Sequence, residues 1–362
     1  MPRPFFRDIV SILVKCDVRI RDVVAAIDRS AIGIAFVVDE DGKLTATLTD
    51  GDVRRAMLAG VSFDESVERL LDFKRTSAYP KPVTCPASAT DAELLAAMHD
   101  AAVDHMPLLD RAGRVVDVAL LRDMLKESAS PVRAVVMAGG YGLRLRPLTD
   151  DTPKPMLPIG DKPLLERTIG QLRQAGITEV AISTHYRHDK ILAHFGSGAD
   201  FGVKLNYVQE PQPLGTAGAL GLMGRPERTT LVINGDILTT VDFRAMTDFH
   251  RVHRADLTVA VRLYEMKVPY GVVDCDAERI TGLREKPDYR FFVNAGIYLI
   301  EPSAWNFISS GERLDMTQMI ERLIASDGSV VSFPVREYWL DVGQPDDYER
   351  AQRDMAAGRI KG

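Results

Sequence analysis

The sequence predicts an α/β protein in which a domain with a mostly parallel central sheet follows a smaller pair of α+β modules. Two observations carry this prediction. Between residues 132 and 263, short apolar stretches alternate with stretches of helical periodicity, as expected for parallel strands covered by helices. Within the first 130 residues, a strand–turn–strand–helix pattern occurs twice. The length of 362 residues fits two or three domains of about 150 residues each.

The internal repeat is clearest where residues 36–58 are set beside residues 107–125. Three pairs match at an offset of 71 residues: Asp39 and Asp110, Gly42 and Gly113, and Asp52 and Asp123. Each copy has the pattern of a helix, a strand, a tight turn at the glycine, a second strand, and a helix that begins near the second aspartate. We predict two stacked copies, at about 7–70 and 72–127, in a domain over residues 1–128. Neither copy is expected to bury its apolar face well alone.

A small, polar stretch that ends in proline, residues 128–131, is typical of a linker, and the second domain is predicted over residues 132–362. Strands are predicted at 132–138, 179–184, 204–208, 230–234 and 256–263, and helices at 164–175, 189–195, 217–223, 243–254 and 345–357. The section 271–300 is rich in strand patterns. This alternation is the basis for the mostly parallel sheet.

Composition and charge argue against several classes of protein. The net charge is −6 without a long block of one sign, whereas a general nucleic-acid binder carries a basic surplus. No apolar run reaches the roughly 18 to 20 residues that span a bilayer, and the N-terminus lacks the pattern of a signal peptide. Three widely separated cysteines predict reduced thiols, and His185, His188 and His194 lack a zinc-site spacing and are interpreted as surface or pocket-rim residues. We expect a soluble, cytoplasmic protein that binds neither nucleic acid nor membrane.

The run M-A-G-G-Y-G-L-R-L-R-P-L-T-D-D-T-P-K-P-M-L-P-I, residues 137–159, follows the first strand of the second domain. It contains three glycines directly after that strand: Gly139, Gly140 and Gly142. Glycines here allow backbone N–H groups to approach phosphate oxygens without a Cβ in the way. Arg144 and Lys154 add positive charge beside them, and the combination suits a triphosphate. The run is neither G-x-x-x-x-G-K-[ST] nor the dinucleotide pattern G-x-G-x-x-G.

This run resembles the signature of sugar-1-phosphate nucleotidyltransferases, the pyrophosphorylases that make nucleotide-sugars. Further motifs of that family follow in the same order: Glu210-Pro-Gln-Pro-Leu-Gly-Thr-Ala-Gly218, Asn234-Gly-Asp236, Tyr270-Gly271, Glu285-Lys286-Pro287, Asn294-Ala-Gly296 and Trp339-Leu-Asp341-Val-Gly343. The resemblance covers about 132–350 and implies a Rossmann-like (GT-A-like) fold with nucleotidyl transfer as the activity. One position departs from the pattern, because Leu143 stands where the family usually has Thr or Ser.

The family reaction needs little covalent chemistry from the protein. A sugar 1-phosphate oxygen attacks the α-phosphorus of a nucleoside triphosphate in line and pyrophosphate leaves, so positioning and charge neutralisation dominate. The resemblance assigns Arg144, Lys154, Asp236 and Lys286 to catalysis, Gly139, Gly140, Gly142, Glu210, Gly215 and Thr216 to the nucleotide, Gly271, Glu285, Lys286 and Asn294 to the sugar phosphate, and Asp236 with Asp341 to Mg²⁺. The two aspartates are 105 residues apart, so only the fold can bring them together. The alternative for each is a turn or helix cap.

Glu210 bears on the choice of base. Thymidylyl enzymes of the family commonly have Gln here, whereas a carboxylate can accept from both the N1–H and the 2-amino group of guanine. Thymine and uracil present carbonyl acceptors that repel a carboxylate, so Glu210 favours GTP. The L-G-T-A-G string also resembles mannose-1-phosphate guanylyltransferases. A UTP- or dTTP-dependent enzyme and a non-catalytic nucleotide-sensing regulatory protein remain the alternatives.

The two N-terminal copies resemble tandem CBS modules, which commonly bind adenine nucleotides and regulate attached enzymes. The ribose-phosphate motif of that family is present as Thr49 and Asp52, whereas Leu120 replaces the hydroxyl residue before Asp123. We expect at most one adenine-nucleotide site, at Thr49 and Asp52; the alternative is that both aspartates only cap helices. Guanylyltransferases with this domain arrangement act in bacterial surface-sugar pathways, which points by analogy to glucosamine 1-phosphate. A homo-oligomer assembled through the CBS pair is also expected.

Overall fold

The computed structural model describes residues 8–30, 32–77, 79–124 and 132–360 of the chain. The chain divides into two compact units, Met1–Ser128 and Ala129–Gly362. The predicted linker at 128–131 lies outside the described residues, and so does the side chain of Asp123.

The N-terminal unit repeats one small fold. Its strands are β1 (Leu13–Lys15), β2 (Ile34–Val38), β3 (Leu44–Thr49), β4 (Cys85–Pro86), β5 (His105–Leu109) and β6 (Val115–Leu120). Its helices are α1 (Ile20–Ser30), α2 (Asp50–Leu58), α3 (Val67–Arg75), α4 (Asp91–Asp100) and α5 (Leu121–Met124). In the first copy β1 is parallel to β2, and β2 is antiparallel to β3. The second copy repeats this order with β4, β5 and β6, so the sequence repeat is also a structural repeat.

The two glycine turns of the repeat meet each other. Gly42 and Gly113 have φ of +78° and +84°, a left-handed conformation that glycine adopts without a Cβ penalty. The residues that follow them, Lys43 and Arg114, form an antiparallel bridge between the copies. Apolar side chains of both copies share one core cluster, which includes Ile34, Phe36, Val115, Val118 and Leu120. Each copy therefore covers apolar surface of the other.

The second unit is built around a sheet with helices on both faces. Its strands are β7 (Arg133–Ala138), β8 (Pro158–Ile159), β9 (Lys162–Pro163), β10 (Glu179–Thr184), β11 (Lys204–Gln209), β12 (Thr230–Asn234), β13 (Ile237–Thr239), β14 (Leu257–Lys267), β15 (Val272–Asp276), β16 (Arg279–Arg284), β17 (Asp288–Ile300), β18 (Val330–Val335) and β19 (Trp339–Asp341). Its helices are α6 (Leu164–Gln174), α7 (His188–Phe195), α8 (Gly215–Gly218), α9 (Phe243–His253), α10 (Met316–Ala325) and α11 (Pro345–Ala356).

Within the described residues, the central sheet has seven strands in the order β11-β10-β7-β12-β17-β14-β18. Only β17 runs antiparallel to its neighbours, so the prediction of a mostly parallel α/β domain is confirmed. Neighbouring residues of β7 face opposite layers: Val136 shares a core cluster with Ile169 of α6 and Phe249 of α9, whereas Val135 shares one with Met319 of α10. No helix in the described part of the chain is long and apolar enough to cross a membrane.

The helix predicted over 217–223 is wrong in its bounds and type. The segment is a single α-helical turn, α8, followed by a 3-10 helix over Ala219–Met223. A Cβ on Gly221 would lie 2.8 Å from the carbonyl oxygen of Ser309, so the backbone here packs directly against a neighbouring loop. This tertiary contact overrides the helical periodicity of the local sequence.

Candidate active site

The parallel strands β11, β10, β7 and β12 end at one edge of the sheet. Ala138 of β7 lies opposite Thr184 of β10, and Thr184 lies opposite Gln209 of β11. Asn234, which ends β12, lies opposite Met137. Loops that follow parallel strands meet at this edge, where α/β proteins bind their ligands. We call residues 139–154 the glycine loop and residues 210–218 the base loop; both begin here, next to the N-G-D turn.

The glycine loop leaves little room for side chains. A Cβ on Gly139 would lie 2.6 Å from Oε1 of Glu210. Gly142 has a φ of +63°, and a Cβ there would lie 2.9 Å from Cγ2 of Thr149. Gly140 is exposed, and a Cβ on it would meet nothing within 4 Å. Close packing thus requires two of the three predicted glycines, and the third presents its backbone to solvent.

Lys154 lies between the two predicted metal-binding aspartates. Its Nζ donates to Oδ2 of Asp236 at 2.6 Å and lies 4.0 Å from Oδ1 of Asp341. The aspartates meet because β13, which follows Asp236, pairs with β19, which ends at Asp341. The side chain of Lys154 is 11% exposed, whereas those of Asp236 and Asp341 are 28% and 50% exposed. The lysine is therefore enclosed, and the carboxylates face solvent.

The charges of this cluster act on one another. Burial raises the pKa of Asp341, and the neighbouring charge of Asp236 raises it further, while Lys154 and Arg144 oppose the shift. Arg144 is exposed, and its Nη2 lies 3.6 Å from the position that a Cβ on Gly343 would take. Arg144, Lys154 and the two aspartates, all predicted from the sequence, therefore occupy one small region.

The carboxylate pair has the chemistry of a site for a hard divalent cation. Asp236 and Asp341 offer oxygen donors only, and a cation between them would relieve their repulsion. Among the described residues, no group of three or more His, Cys, Asp or Glu side chains could hold a metal ion. Asp236 and Asp341 could therefore supply two of the oxygen ligands that a hard cation such as Mg²⁺ prefers.

Glu210 is buried, with 6% of its surface exposed, and it organises the base loop. The hydroxyl of Ser183 donates to Oε1 at 2.6 Å, and the N–H of Leu214 donates to Oε2 at 3.0 Å. These two donors occupy one of the two acceptor positions of each carboxylate oxygen. Further along the loop, the hydroxyl oxygen of Thr216 accepts the N–H of Met316 at 2.8 Å, which ties the loop to the start of α10.

Gly215 is the base-loop residue most restricted by its surroundings. Its φ is +81°, and a Cβ on it would lie 2.6 Å from Oδ1 of Asp315. Both the conformation and the contact favour glycine at this position. The predicted nucleotide-binding role of Gly215 thus coincides with a packing requirement at the same residue.

The predicted sugar-phosphate residues lie on β15 to β17 and the turns beside them. A Cβ on Gly271 would lie 3.2 Å from Oε2 of Glu285. Glu285 and Lys286 are exposed between β16 and β17, and Lys286 has a left-handed φ of +43°. In the part of the chain that the structure describes, no hydrogen bond or ion pair joins Lys286 to Asp236 or Asp341.

The N-A-G segment within β17 connects the predicted sugar-phosphate residue Asn294 to the surroundings of Asp236 and Asp341. Oδ1 of Asn294 accepts the N–H of Gly296 at 2.9 Å. The indole N–H of Trp339, on β19, donates to the carbonyl oxygen of Ala295 at 2.8 Å. A Cβ on Gly296 would lie 2.7 Å from Nδ2 of Asn234. The N-A-G segment therefore contacts both the strand that carries Asp341 and the N-G-D turn.

In the N-terminal unit, Thr49 and Asp52 form the capping box of α2. Oδ2 of Asp52 accepts the N–H and the hydroxyl of Thr49 and the ammonium of Lys74, each at 2.9 Å, and Oδ1 accepts from Arg55. Burial alone would raise the pKa of Asp52, but Lys74, the Thr49 N–H and Arg55 together lower it below 3.8. The structure shows the capping role, and nucleotide binding at this position stays a prediction.

Sequence reasoning missed the part played by His185 and Ser183, which lie at the end of β10. Nδ1 of His185 lies 2.8 Å from the carbonyl oxygen of Glu210, and Nε2 lies 2.8 Å from the hydroxyl of Tyr141. His185 thus lies between the glycine loop and the base loop. Its place directly after a strand of the parallel sheet was the signal that could have identified it.

The chain is similar to curated guanylyltransferases. It is 35% identical over 235 residues to the mannose-1-phosphate guanylyltransferase of Mycobacterium tuberculosis, covering 63% of this chain and 65% of that protein. It is 34% identical over 227 residues to the D-glycero-α-D-manno-heptose 1-phosphate guanylyltransferase of Aneurinibacillus thermoaerophilus, covering 62% of this chain and 98% of that protein. The chain thus spans just under two thirds of the mycobacterial relative's length.

A solved structure and two family models agree with these relatives. The crystal structure of a candidate glucose-1-phosphate thymidylyltransferase from Bacillus anthracis superposes with a TM-score of 0.51 at 26% identity, covering 64% of this chain and 96% of that one. The CBS domain model matches residues 7–59 and 77–130. The nucleotidyl transferase model matches residues 133–358, which is more than half of the chain. The protein therefore belongs to the nucleotidyl transferase family and carries a pair of CBS domains at its N-terminus.

Proposed function

We propose that the protein is a magnesium-dependent sugar-1-phosphate guanylyltransferase, which transfers GMP from GTP to a sugar 1-phosphate and releases pyrophosphate. The observation that carries this proposal is the Lys154–Asp236–Asp341 cluster, at the sheet edge where the glycine loop and the base loop also begin. The two guanylyltransferase relatives, at 35% and 34% identity, support the same activity.

Charge neutralisation is the main task of the cluster. Arg144 and the backbone N–H groups of the glycine loop bind the triphosphate, and Lys154 stabilises the negative charge that develops on the leaving pyrophosphate. Asp236 holds the Lys154 ammonium at 2.6 Å, so the lysine needs little reorganisation during the reaction. Asp236 and Asp341 would hold Mg²⁺, which when bound neutralises phosphate oxygens.

The attacking group requires no general base. A sugar 1-phosphate is an anion near neutral pH, since the second pKa of a phosphate monoester is about 6. Lys286, which is exposed, would anchor this anion, and Glu285, Asn294 and the backbone at Gly271 would bind the sugar. Glu210, through its remaining acceptor positions, would receive the N1–H and 2-amino hydrogens of guanine.

The identity of the sugar is the least constrained part of the proposal. The domain arrangement favours glucosamine 1-phosphate by analogy, whereas the two relatives are named for mannose 1-phosphate and a heptose 1-phosphate. The direct test is pyrophosphate release with Mg²⁺, with four nucleoside triphosphates against mannose, glucose, glucosamine, N-acetylglucosamine and heptose 1-phosphates. Turnover with GTP supports the proposal. Turnover only with UTP or dTTP contradicts the base, and binding without turnover of any pair favours a nucleotide sensor.

We also propose that an adenine nucleotide binds the CBS pair at Thr49 and Asp52 and regulates the enzyme. The Asp52 carboxylate already accepts hydrogen bonds from three residues, so a ribose hydroxyl has to replace one of them. Arg55 is the candidate, because its side chain is 38% exposed whereas Lys74 is 7% exposed. Calorimetry of the full chain with ADP and ATP should give binding that Asp52→Asn abolishes. Equal binding by Asp52→Asn, or none by the wild type, would contradict this site.

A further inference from the structure

Three consecutive residues after β10, 185–187, hold the glycine loop at three points. The histidine lies 2.8 Å from the hydroxyl of Tyr141. The hydroxyl of Tyr186 donates to the carbonyl oxygen of Asp150 at 2.6 Å, and Arg187 donates to Oδ1 of Asp151 at 2.8 Å. The arginine has a left-handed φ of +52°, which a non-glycine residue adopts at an energetic cost. The surrounding contacts therefore maintain a specific path of the chain beside the glycine loop.

The histidine of this segment also reaches the base loop. Nδ1 of His185 lies 2.8 Å from the carbonyl oxygen of Glu210. A carbonyl only accepts, so Nδ1 carries the hydrogen, and in the neutral ring Nε2 is the acceptor. Tyr141 consequently donates its hydroxyl hydrogen to Nε2. One imidazole uses both nitrogens to join a side chain of the glycine loop to the backbone of the base loop.

The two loops touch at a second place, through the side chain of Glu210. Its Oε1 lies 2.6 Å from the position that a Cβ on Gly139 would take. The same carboxylate accepts from Ser183, two residues before His185 on the β10 strand, and from the N–H of Leu214. Ser183 near the end of β10 and His185 directly after it therefore support both connections between the loops, and β10, which pairs with a strand on each side, is a rigid support.

We propose that His185 is a positioning residue that holds the glycine loop and the base loop together, so that a nucleoside triphosphate meets both as one preformed surface. The inference rests on the proposed function, because it requires that the base and the phosphates bind at these two loops. Loops that are ordered before binding lose less conformational freedom when the ligand arrives. The link therefore acts on nucleotide binding more than on the transfer step.

Two substitutions each break the hydrogen bond between Tyr141 and Nε2 of His185. Tyr141→Phe removes the hydroxyl, and His185→Asn keeps an N–H donor near the position of Nδ1 but falls short of Tyr141. Each should raise KM for GTP about five- to tenfold while kcat changes less than about twofold, and the double variant should be no worse than either single one. His188→Asn is the matched control, because its ring bonds to Thr184 and to neither loop, and its KM should stay unchanged.

Amide hydrogen exchange of the ligand-free full chain supplies a readout that needs no turnover. Tyr141→Phe and His185→Asn should both speed exchange in the glycine loop and in the base loop, and His188→Asn should not. The inference is overturned if the two KM effects multiply in the double variant, or if exchange changes in neither loop. A wild-type chain that binds no nucleoside triphosphate overturns the proposed function, whereas normal wild-type turnover with unchanged loop exchange in the variants overturns only the inference.

Discussion

Two aspartates in this chain each accept a hydrogen bond from an enclosed lysine, one in each compact unit. Lys154 donates to Asp236 at 2.6 Å, and Lys74 donates to Asp52 at 2.9 Å. The lysine side chains are similarly enclosed, at 11% and 7% exposure. The aspartates differ, because the side chain of Asp236 is 28% exposed and that of Asp52 is 4% exposed.

The number of occupied acceptor positions separates the two pairs. A carboxylate has about four such positions. Four donors contact the carboxylate of Asp52, two from Thr49 and one each from Lys74 and Arg55, whereas among the described residues only Lys154 donates to the carboxylate of Asp236. A saturated carboxylate stabilises its own fold, and an unsaturated one can bind a cation or a substrate. The same pair of residue types therefore caps a helix in one unit, where a ligand has to displace a donor, and leaves acceptor positions open in the other.

The largest effect that tests this comparison is expected for Asp236→Asn. The substitution removes a proposed cation ligand and the charge that holds Lys154, so turnover should fall about 10³-fold, with little change in melting temperature. Pyrophosphate release at saturating substrate measures it. Asp161→Asn is the control, because the Asp161 side chain is 79% exposed and pairs with Arg167 rather than with Lys154. Retention of more than about a tenth of the turnover would remove Asp236 from its proposed role.

Lys74→Met should give the opposite result, a loss of stability without a loss of turnover in the folded protein. It leaves Asp52 buried and without its lysine, which is expected to cost about 3 kcal/mol in the N-terminal unit. Both tryptophans of the chain, Trp305 and Trp339, lie in the second unit. In a urea titration, the circular dichroism should therefore show an earlier transition, while the tryptophan fluorescence midpoint stays in place. If circular dichroism and fluorescence gave the same midpoint in Lys74→Met as in the wild type, the prediction would be wrong.

Acid should weaken the same pair. The pKa of Asp52 is lowered in the folded state, so its contribution to stability is complete well above the ordinary value of 3.8 and disappears as the pH falls through the lower, folded-state pKa. The free energy of unfolding of the wild type should therefore exceed that of Asp52→Asn by less at pH 3 than at pH 6. Circular dichroism in urea at a series of pH values measures this difference. A constant difference would show that the charge of Asp52 does not stabilise the unit.

A smaller effect is expected at Glu210. Glu210→Gln should lower the preference for GTP over UTP about tenfold, because the amide N–H₂ replaces an acceptor that guanine requires. The substitution also weakens one of the bonds from Ser183 and Leu214, since Gln has one acceptor oxygen. Ser183→Ala separates the two effects, because it removes the Ser183 bond and keeps the carboxylate. Paired kcat/KM values for GTP and UTP in both variants decide between base reading and loop support.

Much of the active-site edge could be predicted from residue order alone. The glycines after the first strand and the N-G-D turn after β12 were placed correctly because parallel strands end at one edge, which is a rule of the fold. The N-terminal repeat was visible because both copies need glycine in the same turn. The helix over 217–223 was predicted incorrectly because its glycines pack against the backbone near Ser309, which is remote in sequence.

The sequence by itself determined the α/β class, the repeated N-terminal module and the glycine turns after the first strand, because periodicity and turn chemistry act over a few neighbouring residues. Only the tertiary structure decided what the charged residues do. Whether a lysine saturates an aspartate or leaves it open depends on packing between distant segments, as Lys74 with Asp52 and Lys154 with Asp236 show. The link through His185 likewise depends on three segments that meet only when the sheet forms.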